Sequence, residues 1–338
     1  MSFLQGSFDL FRGCRVSHMG SYQYVDHAGR RNGKSMSGAK LWAELELASL
    51  TPNAENLFNA EELLLERVAK NINQYLPSGT SLLELGPGTS NAFKKKTLPI
   101  IRALGSEKCI LVDESNAFLK AISSDQALND VDTSFIEDDF LEDNYCYYPN
   151  EEGEALVCLF GSTIGNILSP RSDDLPSAAL VSTLRQLSQT IGRGWLLISM
   201  DSNQDGAAVK EFYERQSLFQ LNVFYRMAVE LPLSAGFDPA AFGYEAQWNS
   251  HSGQLAHMAI ANRDMRFKLG NQEIVLHEGQ RLHLKNSYKF KPEFFEHCCA
   301  LANLEIMHSW SDSSGSQVYL MKKLESIMPV QVPNFQAA

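Results

Sequence analysis

The chain has 338 residues, of which 44% are hydrophobic and 20% are charged, proportions that are typical of a globular protein with a large buried core. It carries 40 acidic and 29 basic residues and a net charge of −11, so its surface repels phosphate backbones and nucleic acid is not an expected partner. Six cysteines without a CxxC pair or a metal-ligand spacing, and the lack of a long apolar run, predict a cytoplasmic protein with reduced thiols, no metal and no membrane partner.

Short apolar runs alternate with helical periodicity up to about residue 200. The predicted elements are a helix at 39–47 in an otherwise loop-like N-terminus, a helix at 60–75, a strand at 81–85, a helix from Thr89 or Ser90, strands at 108–112, 134–137, 155–160 and 194–200, and a helix at 175–190. Polar residues gather at the carboxyl ends of these strands. The pattern predicts an α/β fold with a doubly wound parallel sheet.

The stretch SLLELGPGTS, at residues 81–90, is the first candidate for a binding site. Its apolar start predicts a short buried strand, and Gly86 and Gly88 predict a tight turn that lets the backbone approach a ligand closely. Thr89 or Ser90 is then the N-cap of a helix whose first N–H groups face the same crevice. The stretch therefore predicts a small-molecule site, although an ordinary strand-turn-helix corner has the same pattern.

The residues around this turn favour one cofactor over another. The fingerprint of a dinucleotide site requires a third glycine, and Asn91 stands at that position. Glu84, in the strand before the turn, suits a cofactor with a positive end, such as the sulfonium and ammonium of S-adenosylmethionine, better than the diphosphate of NAD. We therefore expect S-adenosylmethionine, with an NAD-dependent oxidoreductase as the alternative.

Acidic and polar residues also follow the next predicted strands. Asp113 ends the second strand, where an α/β nucleotide site binds ribose hydroxyls, or where the side chain merely caps a helix. Asp139 and Phe140 follow the third strand, and an acid beside an aromatic ring can accept the adenine amine and cover the ring. The fourth strand opens into GSTIGN at residues 161–166, in which Asn166 is also compatible with a simple turn.

The pattern changes after Asp201. The predicted elements are a helical stretch at 206–226, alternating strands at 245–248, 255–261, 265–269, 273–276 and 281–284, a helix at 292–302 with Pro292 in its first turn, and closing strands at 304–310 and 317–324. The five alternating strands predict a β-meander inserted into the nucleotide-binding domain. The two closing strands are expected to rejoin the first sheet, and the tail after Met328 is expected to be irregular.

Four segments stand in the order in which one enzyme family has them: ELGPGTS at 84–90, FGSTIGN at 160–166, Trp248-Asn249, and SYKF at 287–290. Together they resemble the histidine Nα-methyltransferases of ergothioneine biosynthesis, a family that includes the fungal dimethylallyltryptophan N-methyltransferases of the ergot pathway. The resemblance covers roughly residues 20–325. It implies an S-adenosylmethionine-dependent enzyme of amino-acid N-methylation in secondary metabolism.

For the fold, the resemblance implies a Rossmann-like class I methyltransferase domain at 60–200 and 287–325, and an α+β substrate-binding domain at 1–59 and 201–286. For the cofactor it implies contacts at Gly86, Asp113, Asp139 and Phe140. For the substrate's amine and carboxylate it implies contacts at Tyr24, Asn166 and, across a small gap, Tyr213.

Patterns and resemblance together define the predicted site. The predicted cofactor-binding residues are Glu84, Gly86, Gly88, Thr89, Asp113, Asp139, Phe140, Gly161, Ser162 and Thr163. The predicted substrate-binding residues are Tyr24, Asn166, Tyr213, Lys285 and Ser287, of which Asn166 and Tyr24 are the predicted catalytic residues. For Tyr24 the alternative is core packing, and for Lys285 it is a solvated strand position.

The chain departs from the family at three places. A lysine that the family has shortly after the glycine turn is Ala92 here, and the nearby Lys94-Lys95-Lys96 run is interpreted as a solvated helix face. The family's Glu-Tyr-Tyr segment aligns near Glu55-Asn56-Leu57. Where the histidine enzymes have a glutamate that accepts a hydrogen bond from imidazole, this chain has Lys285, and a lysine ammonium only donates.

These departures fall on the pocket for the substrate's side chain and leave the cofactor residues intact. They predict an S-adenosylmethionine-dependent N-methyltransferase that acts on the amine of a small amino acid or amino-acid-derived metabolite other than histidine. A non-catalytic homologue that kept the cofactor fold is the remaining alternative. The sequence leaves the oligomeric state open, with a monomer as one option.

Overall fold

A computed structural model describes residues 2–13, 19–49, 57–140, 155–166, 176–191 and 193–324. Within these ranges the helices are α1 (Phe3–Phe11), α2 (Met19–Tyr22), α3 (Gly38–Ser49), α4 (Leu57–Asn71), α5 (Ser90–Leu104), α6 (Asn116–Ser123), α7 (Pro176–Ile191), α8 (Gly206–Glu214), α9 (Ser217–Glu230) and α10 (Pro292–Leu301). The strands are β1 (Arg30–Arg31), β2 (Lys34–Ser35), β3 (Leu82–Leu85), β4 (Lys108–Asp113), β5 (Asp132–Glu137), β6 (Leu156–Leu159), β7 (Trp195–Asp201), β8 (Phe242–Asn249), β9 (Gln254–Ala261), β10 (Met265–Leu269), β11 (Gln272–Leu276), β12 (Arg281–Tyr288), β13 (Leu304–Ser311) and β14 (Ser316–Lys323). The predicted irregular tail after Met328 lies outside the described residues.

A seven-stranded sheet in the order β13-β14-β7-β6-β3-β4-β5 forms the centre of the molecule. The five strands from β7 to β5 run parallel, whereas β14 is antiparallel to both β7 and β13. The predicted doubly wound α/β sheet is confirmed, and so is the return of the two closing strands to it. Because the order reverses between β6 and β3, a crevice is expected at the carboxyl ends of these strands.

The burial of β3 explains why its sequence is apolar at every position except Glu84. Leu82 packs into the core on the α4 and α5 side of the sheet, and Leu83 and Leu85 pack into the core on the α7 and α10 side. Successive residues of a strand face opposite sides, so a strand covered by helices on both faces has no solvent-facing position. Each fully buried leucine contributes roughly 1.5–3 kcal/mol, which holds the end of β3 and its turn in place.

The five strands predicted as one meander form two separate units. The three-stranded antiparallel sheet has the order β12-β9-β8, and β10 pairs only with β11 among the described strands. The meander is therefore a wrong prediction: β12 pairs with β9 from Arg281↔Ile260 to Tyr288↔Gln254 and occupies the edge that β10 would need. The division into two domains stays a prediction, and its boundary at residue 287 falls inside β12.

The loop-like N-terminus was also predicted wrongly, because it contains α1. Ser2 caps this helix by accepting a hydrogen bond from the Gln5 N–H at 3.2 Å. Leu10 and Phe11 are buried in a core that α9, β9 and β12 share, with the Phe11 ring 5.2 Å from that of Phe267. The helix is thus stabilised by distant parts of the chain.

The helical stretch predicted at 206–226 consists of two helices, α8 and α9, separated at Arg215 and Gln216. The cysteines inside the described ranges that are buried free thiols are Cys109, Cys158, Cys298 and Cys299. No helix in the described part of the chain has both the length and the apolar composition that crossing a bilayer requires.

Candidate active site

A cleft with an empty volume of about 1150 Å³, open solvent at its mouth included, lies at the carboxyl ends of β3, β4 and β6. The predicted site residues that line it are Tyr24, Glu84, Gly86, Gly88, Asp113, Phe140, Gly161, Thr163, Asn166 and Lys285. The fold thus brings residues from both halves of the chain to one cavity. Parallel strands that end at the same edge explain why the residues after β3, β4, β5 and β6 meet there.

Five predicted residues do not line this cleft. Thr89 caps α5, accepting the Ala92 N–H at 3.1 Å, and Ser162 occupies a left-handed turn position with φ 54°. Asp139 donates its backbone N–H to the Asp138 side chain. Tyr213 packs edge-on against the ring of His257 at 4.8 Å, and Ser287 reaches the cleft only through a hydrogen bond to Asn166.

The glycine turn is fixed to the neighbouring strand by Asp113. One carboxylate oxygen accepts the Gly88 N–H at 3.1 Å and the other accepts the Ser115 N–H at 2.8 Å. Burial raises the pKa of Asp113 to about 6, against the lowering effect of these two hydrogen bonds. Gly86 and Gly88 have φ of 74° and 68°, a region that residues with a Cβ rarely adopt, so this turn requires glycine at both places.

Glu84 lines the cleft. Its side chain is 1% exposed, and its Oε2 has no hydrogen-bond partner within the described residues. Burial raises the pKa of the Glu84 carboxyl to about 8. A buried carboxyl group with an unused acceptor, facing a cavity, is suited to a cationic group that enters the cavity.

Lys96 corrects the interpretation of the Lys94-Lys95-Lys96 run as a solvated face. Lys96 is buried, lines the cleft and forms an ion pair with Glu61 at 2.6 Å. The other oxygen of Glu61 accepts the Gly161 N–H at 2.6 Å and a hydrogen bond from Ser199. The pair therefore supports the turn after β6.

The spacing of apolar residues in α4 and α5 indicated that the two charged residues of this ion pair are buried. Glu61 stands three and seven residues before Leu64 and Val68, and Lys96 stands three residues after Phe93. All three of these apolar residues are buried. Residues at such spacings share one face of a helix, so both charges belong to buried faces rather than to the solvent.

Glu46 is a cleft residue that the sequence did not indicate. It lies on α3, is 4% exposed and lines the cleft. Its carboxylate accepts hydrogen bonds from the Thr89 hydroxyl and from Nδ2 of Asn91. Helix α3 is thereby attached to the start of α5, next to the glycine turn.

Asn166 ends the short helical turn after β6. Its Oδ1 accepts a hydrogen bond from the Ser287 hydroxyl at 2.7 Å, which joins the large sheet to β12. The side-chain hydrogen bond of Asn166 within the described residues is this one at Oδ1, while the side chain lines the cleft. Asn166 therefore presents amide N–H groups to the cavity.

Lys285 also lines the cleft and is not a solvated strand lysine. It is 7% exposed, and its Nζ stands 5.9 and 5.6 Å from the ring centroids of Tyr24 and Phe219. Among the described residues it has neither an ion pair nor a hydrogen bond. The register of β12 against β9 shifts between His283 and Lys285, and such irregularities commonly change the direction in which a side chain points.

Burial shifts the pKa values of Lys285 and Tyr24. Burial lowers the pKa of Lys285 to about 7, because no carboxylate compensates the lost hydration of the ammonium. Burial also raises the pKa of the Tyr24 hydroxyl, whose ring packs against Trp42 at 5.3 Å and Phe219 at 5.1 Å. Tyr24 therefore remains a neutral hydrogen-bond donor.

Comparisons with known proteins identify similar sequences over most of the chain. A family model described as a histidine-specific methyltransferase, dependent on S-adenosylmethionine, matches residues 55–323. An uncharacterized protein of Sinorhizobium fredii, y4iF, is 36% identical over 306 residues, which are 86% of this chain and 100% of that protein. The N-methyltransferase imqF of Aspergillus flavus is 23% identical over 89% of this chain and 84% of its own length. A histidine N-alpha-methyltransferase of Mycobacterium tuberculosis is 27% identical over 70% of this chain and 72% of its own length.

Proposed function

This chain belongs to the family of histidine-specific, S-adenosylmethionine-dependent methyltransferases and is an N-methyltransferase, and we propose that it methylates the amine of a small amino acid or amino-acid-derived metabolite other than histidine. The observation that carries the proposal is Lys285, a buried and unpaired amine on the cleft wall. Because the chain belongs to a methyltransferase family, the alternative of an NAD-dependent oxidoreductase is dropped.

The residues of the cleft fit S-adenosylmethionine. The unpartnered Oε2 of Glu84 suits the ammonium at the amino-acid end of the cofactor, and the bare turn at Gly86 and Gly88 permits close backbone contact. Asp113 retains free lone pairs for ribose hydroxyls, and the Phe140 ring lies beside Gly86, where an added Cβ would be 3.6 Å from it. The bound cofactor supplies an electrophilic methyl group on its sulfonium.

On the substrate side, the chain must present an amine in its neutral form. Asn166 and Tyr24 offer N–H and O–H donors and carry no negative charge, so they give an ammonium no stabilising partner. A protonated Lys285 nearby raises the cost of an ammonium further. The two donors bind the carboxylate of the substrate and so orient it, which leaves the lone pair of the amine free for attack and is where positioning contributes to the rate.

Lys285 determines which side chain the substrate carries. A lysine ammonium donates hydrogen bonds and attracts negative charge, whereas the imidazole of histidine offers an N–H at the position where the family's histidine enzymes have a glutamate. We propose that the native substrate carries an acceptor here, a carboxylate or a carbonyl. The ion pair with a carboxylate, or the hydrogen bond to a carbonyl, gives the Lys285 ammonium the partner that it lacks among the described residues.

The proposal is tested by incubating the enzyme with S-adenosylmethionine labelled in its methyl group and with the common amino acids one at a time. We expect transfer to an amino acid whose side chain bears a carboxylate or carbonyl group, and at most weak transfer to histidine. Efficient methylation of histidine contradicts the substrate assignment. Binding of S-adenosylhomocysteine without transfer to any amine contradicts the activity.

Replacing Asp113 with alanine is expected to weaken the binding of S-adenosylhomocysteine about 5- to 150-fold, because loss of the partner of a buried polar group costs about 1–3 kcal/mol. The change also releases the Gly88 N–H from the hydrogen bond that holds the turn. Isothermal titration calorimetry measures the dissociation constant directly.

The pH dependence of S-adenosylhomocysteine binding distinguishes the effect of the Asp113 charge from the effect of the side chain's shape. Since the pKa of Asp113 is raised to about 6, its carboxylate is lost as the pH falls from 7 to 5, and affinity should fall over that range in the wild type and less in Asp113→Asn. Asp205→Ala, which removes another carboxylate that caps backbone N–H groups, is the matched control. Unchanged affinity in Asp113→Ala would mean that the ribose is not bound at the end of β4.

A further inference from the structure

A line of hydrogen bonds runs from the cleft into the three-stranded sheet. The Ser287 hydroxyl donates to Oδ1 of Asn166 at 2.7 Å, and its oxygen lies 2.9 Å from Nε2 of His257. Nδ1 of His257 lies 2.8 Å from the hydroxyl of Tyr244. Four side chains from β8, β9, β12 and the turn after β6 are thus connected, and only Asn166 reaches the cavity.

With Oδ1 of Asn166 as the acceptor of the Ser287 hydroxyl, the direction of each other bond follows from counting protons. Ser287 has one hydroxyl proton and gives it to Asn166, so its contact with His257 requires a proton on Nε2. A neutral imidazole then has a lone pair on Nδ1, which accepts the Tyr244 O–H. Every donor in the line has one acceptor, and the order of donation runs from Tyr244 to Asn166.

The surroundings of His257 keep it neutral. The residue is fully buried, and burial, followed by the charges of Lys285, His283 and Lys289, lowers its pKa well below the ordinary value. Burial also raises the pKa of the Tyr244 hydroxyl, so this group keeps its proton and remains a donor.

We propose that His257, held by Tyr244, is a positioning residue that fixes through Ser287 which edge of the Asn166 amide faces the cleft. If Nε2 carried no proton, the Ser287 hydroxyl would donate to it instead, and the serine oxygen would then accept from Nδ2 of Asn166. The amide would turn over and present its oxygen to the cavity. The imidazole tautomer therefore decides whether Asn166 offers donors or an acceptor.

The inference rests on the proposed function only in that Asn166 faces the substrate, so its first test uses no substrate. Nitrogen-15 NMR of the full-length enzyme labelled on histidine, with His257 assigned from the His257→Gln variant, identifies the protonated ring nitrogen. We expect a neutral ring with its proton on Nε2 and a change in that resonance in Ser287→Ala. A proton on Nδ1, or an Nε2 resonance that ignores Ser287→Ala, overturns the proposal.

The second test measures kinetics with the amino acid that accepts most methyl in the panel described above. His257→Leu removes the donor to Ser287, and we expect KM for that amino acid to rise about tenfold, the effect of losing roughly 1.4 kcal/mol of oriented hydrogen bonding. The dissociation constant of S-adenosylhomocysteine should stay unchanged. His257→Gln, which retains an amide donor, should recover part of the loss.

Two tyrosine variants provide matched controls. Tyr244→Phe removes the hydroxyl that holds Nδ1 and should raise KM, whereas Tyr225→Phe removes a hydroxyl that has no partner within the described residues and should not. Equal effects of the two changes, or a fall in cofactor affinity that matches the rise in KM, would show a purely structural role. If no amine is methylated, the proposed function fails while the NMR result still decides the tautomer.

Discussion

Replacing Asn166 with alanine is expected to lower kcat/KM by about 100-fold or more, the scale of loss seen when a reacting group is misplaced by about 1 Å, and to leave S-adenosylhomocysteine affinity nearly intact. Asn166 presents its amide N–H groups to the cleft from the turn after β6. Its side-chain hydrogen bond within the described residues is with Ser287 rather than with a predicted cofactor-binding residue. Turnover with labelled methyl donor and calorimetry with S-adenosylhomocysteine measure the two effects separately.

Two further variants sharpen this expectation. Asn166→Asp keeps the oxygen that accepts from Ser287 and replaces the N–H donors with a carboxylate oxygen, so it should also be strongly impaired. Asn249→Ala, at an exposed position where the side chain caps the His251 N–H, should behave as the wild type. Wild-type kcat/KM in Asn166→Ala would remove the residue from the site, and a large loss of cofactor affinity would assign it to the cofactor instead.

Replacing Lys285 with glutamate is expected to raise activity on histidine and lower it on the native substrate. The exchange reverses a unit charge and turns a donor into an acceptor on a buried wall of the cleft. An ion pair at 4 Å is worth about 4 kcal/mol at an effective dielectric constant near 20. Since about 1.4 kcal/mol corresponds to tenfold, even a third of this energy changes the preference for the two substrates about tenfold.

The measurement is the ratio of kcat/KM for histidine and for the amino acid that the wild type prefers. Lys285→Met keeps the apolar stem between Tyr24 and Phe219 and removes the charge, so it should lose native activity without gaining activity on histidine. Asn56→Tyr, at a position outside the described residues, is expected to add to the gain. The prediction is wrong if the wild type methylates histidine efficiently, or if Lys285→Ala leaves the preference as it was.

The elements of the large sheet could be predicted to within one or two residues. Every residue of a strand such as β3, which is covered on both faces, is buried, and its run of leucines on either side of Glu84 is visible without knowledge of its neighbours. Helix α1 and the pairing of β12 with β9 could not be predicted in this way. Their stability depends on contacts with residues that are far away in sequence.

The residues of the candidate site also differ in whether local sequence or distant contacts determine their positions. Glu84, Asp113 and Asn166 could be placed because each follows or ends a parallel strand, and strand ends meet at one edge. Glu46 and His257 could not, since their partners Thr89 and Ser287 lie 43 and 30 positions away in sequence. Lys96 is an intermediate case, because its helical spacing indicated a buried face that the run of three lysines concealed.

The position of β14 in the large sheet has a consequence for how the chain folds during synthesis. β7 is buried at every residue and takes β14 as its antiparallel neighbour, yet residues 202–315 are made between the two. Until β14 emerges from the ribosome, β7 has an open, strongly apolar edge of the kind that pairs with other chains. Nascent chains that stop before residue 316 are therefore expected to aggregate, and completion of the sheet, which depends on contacts between distant residues, is expected to be a slow folding step.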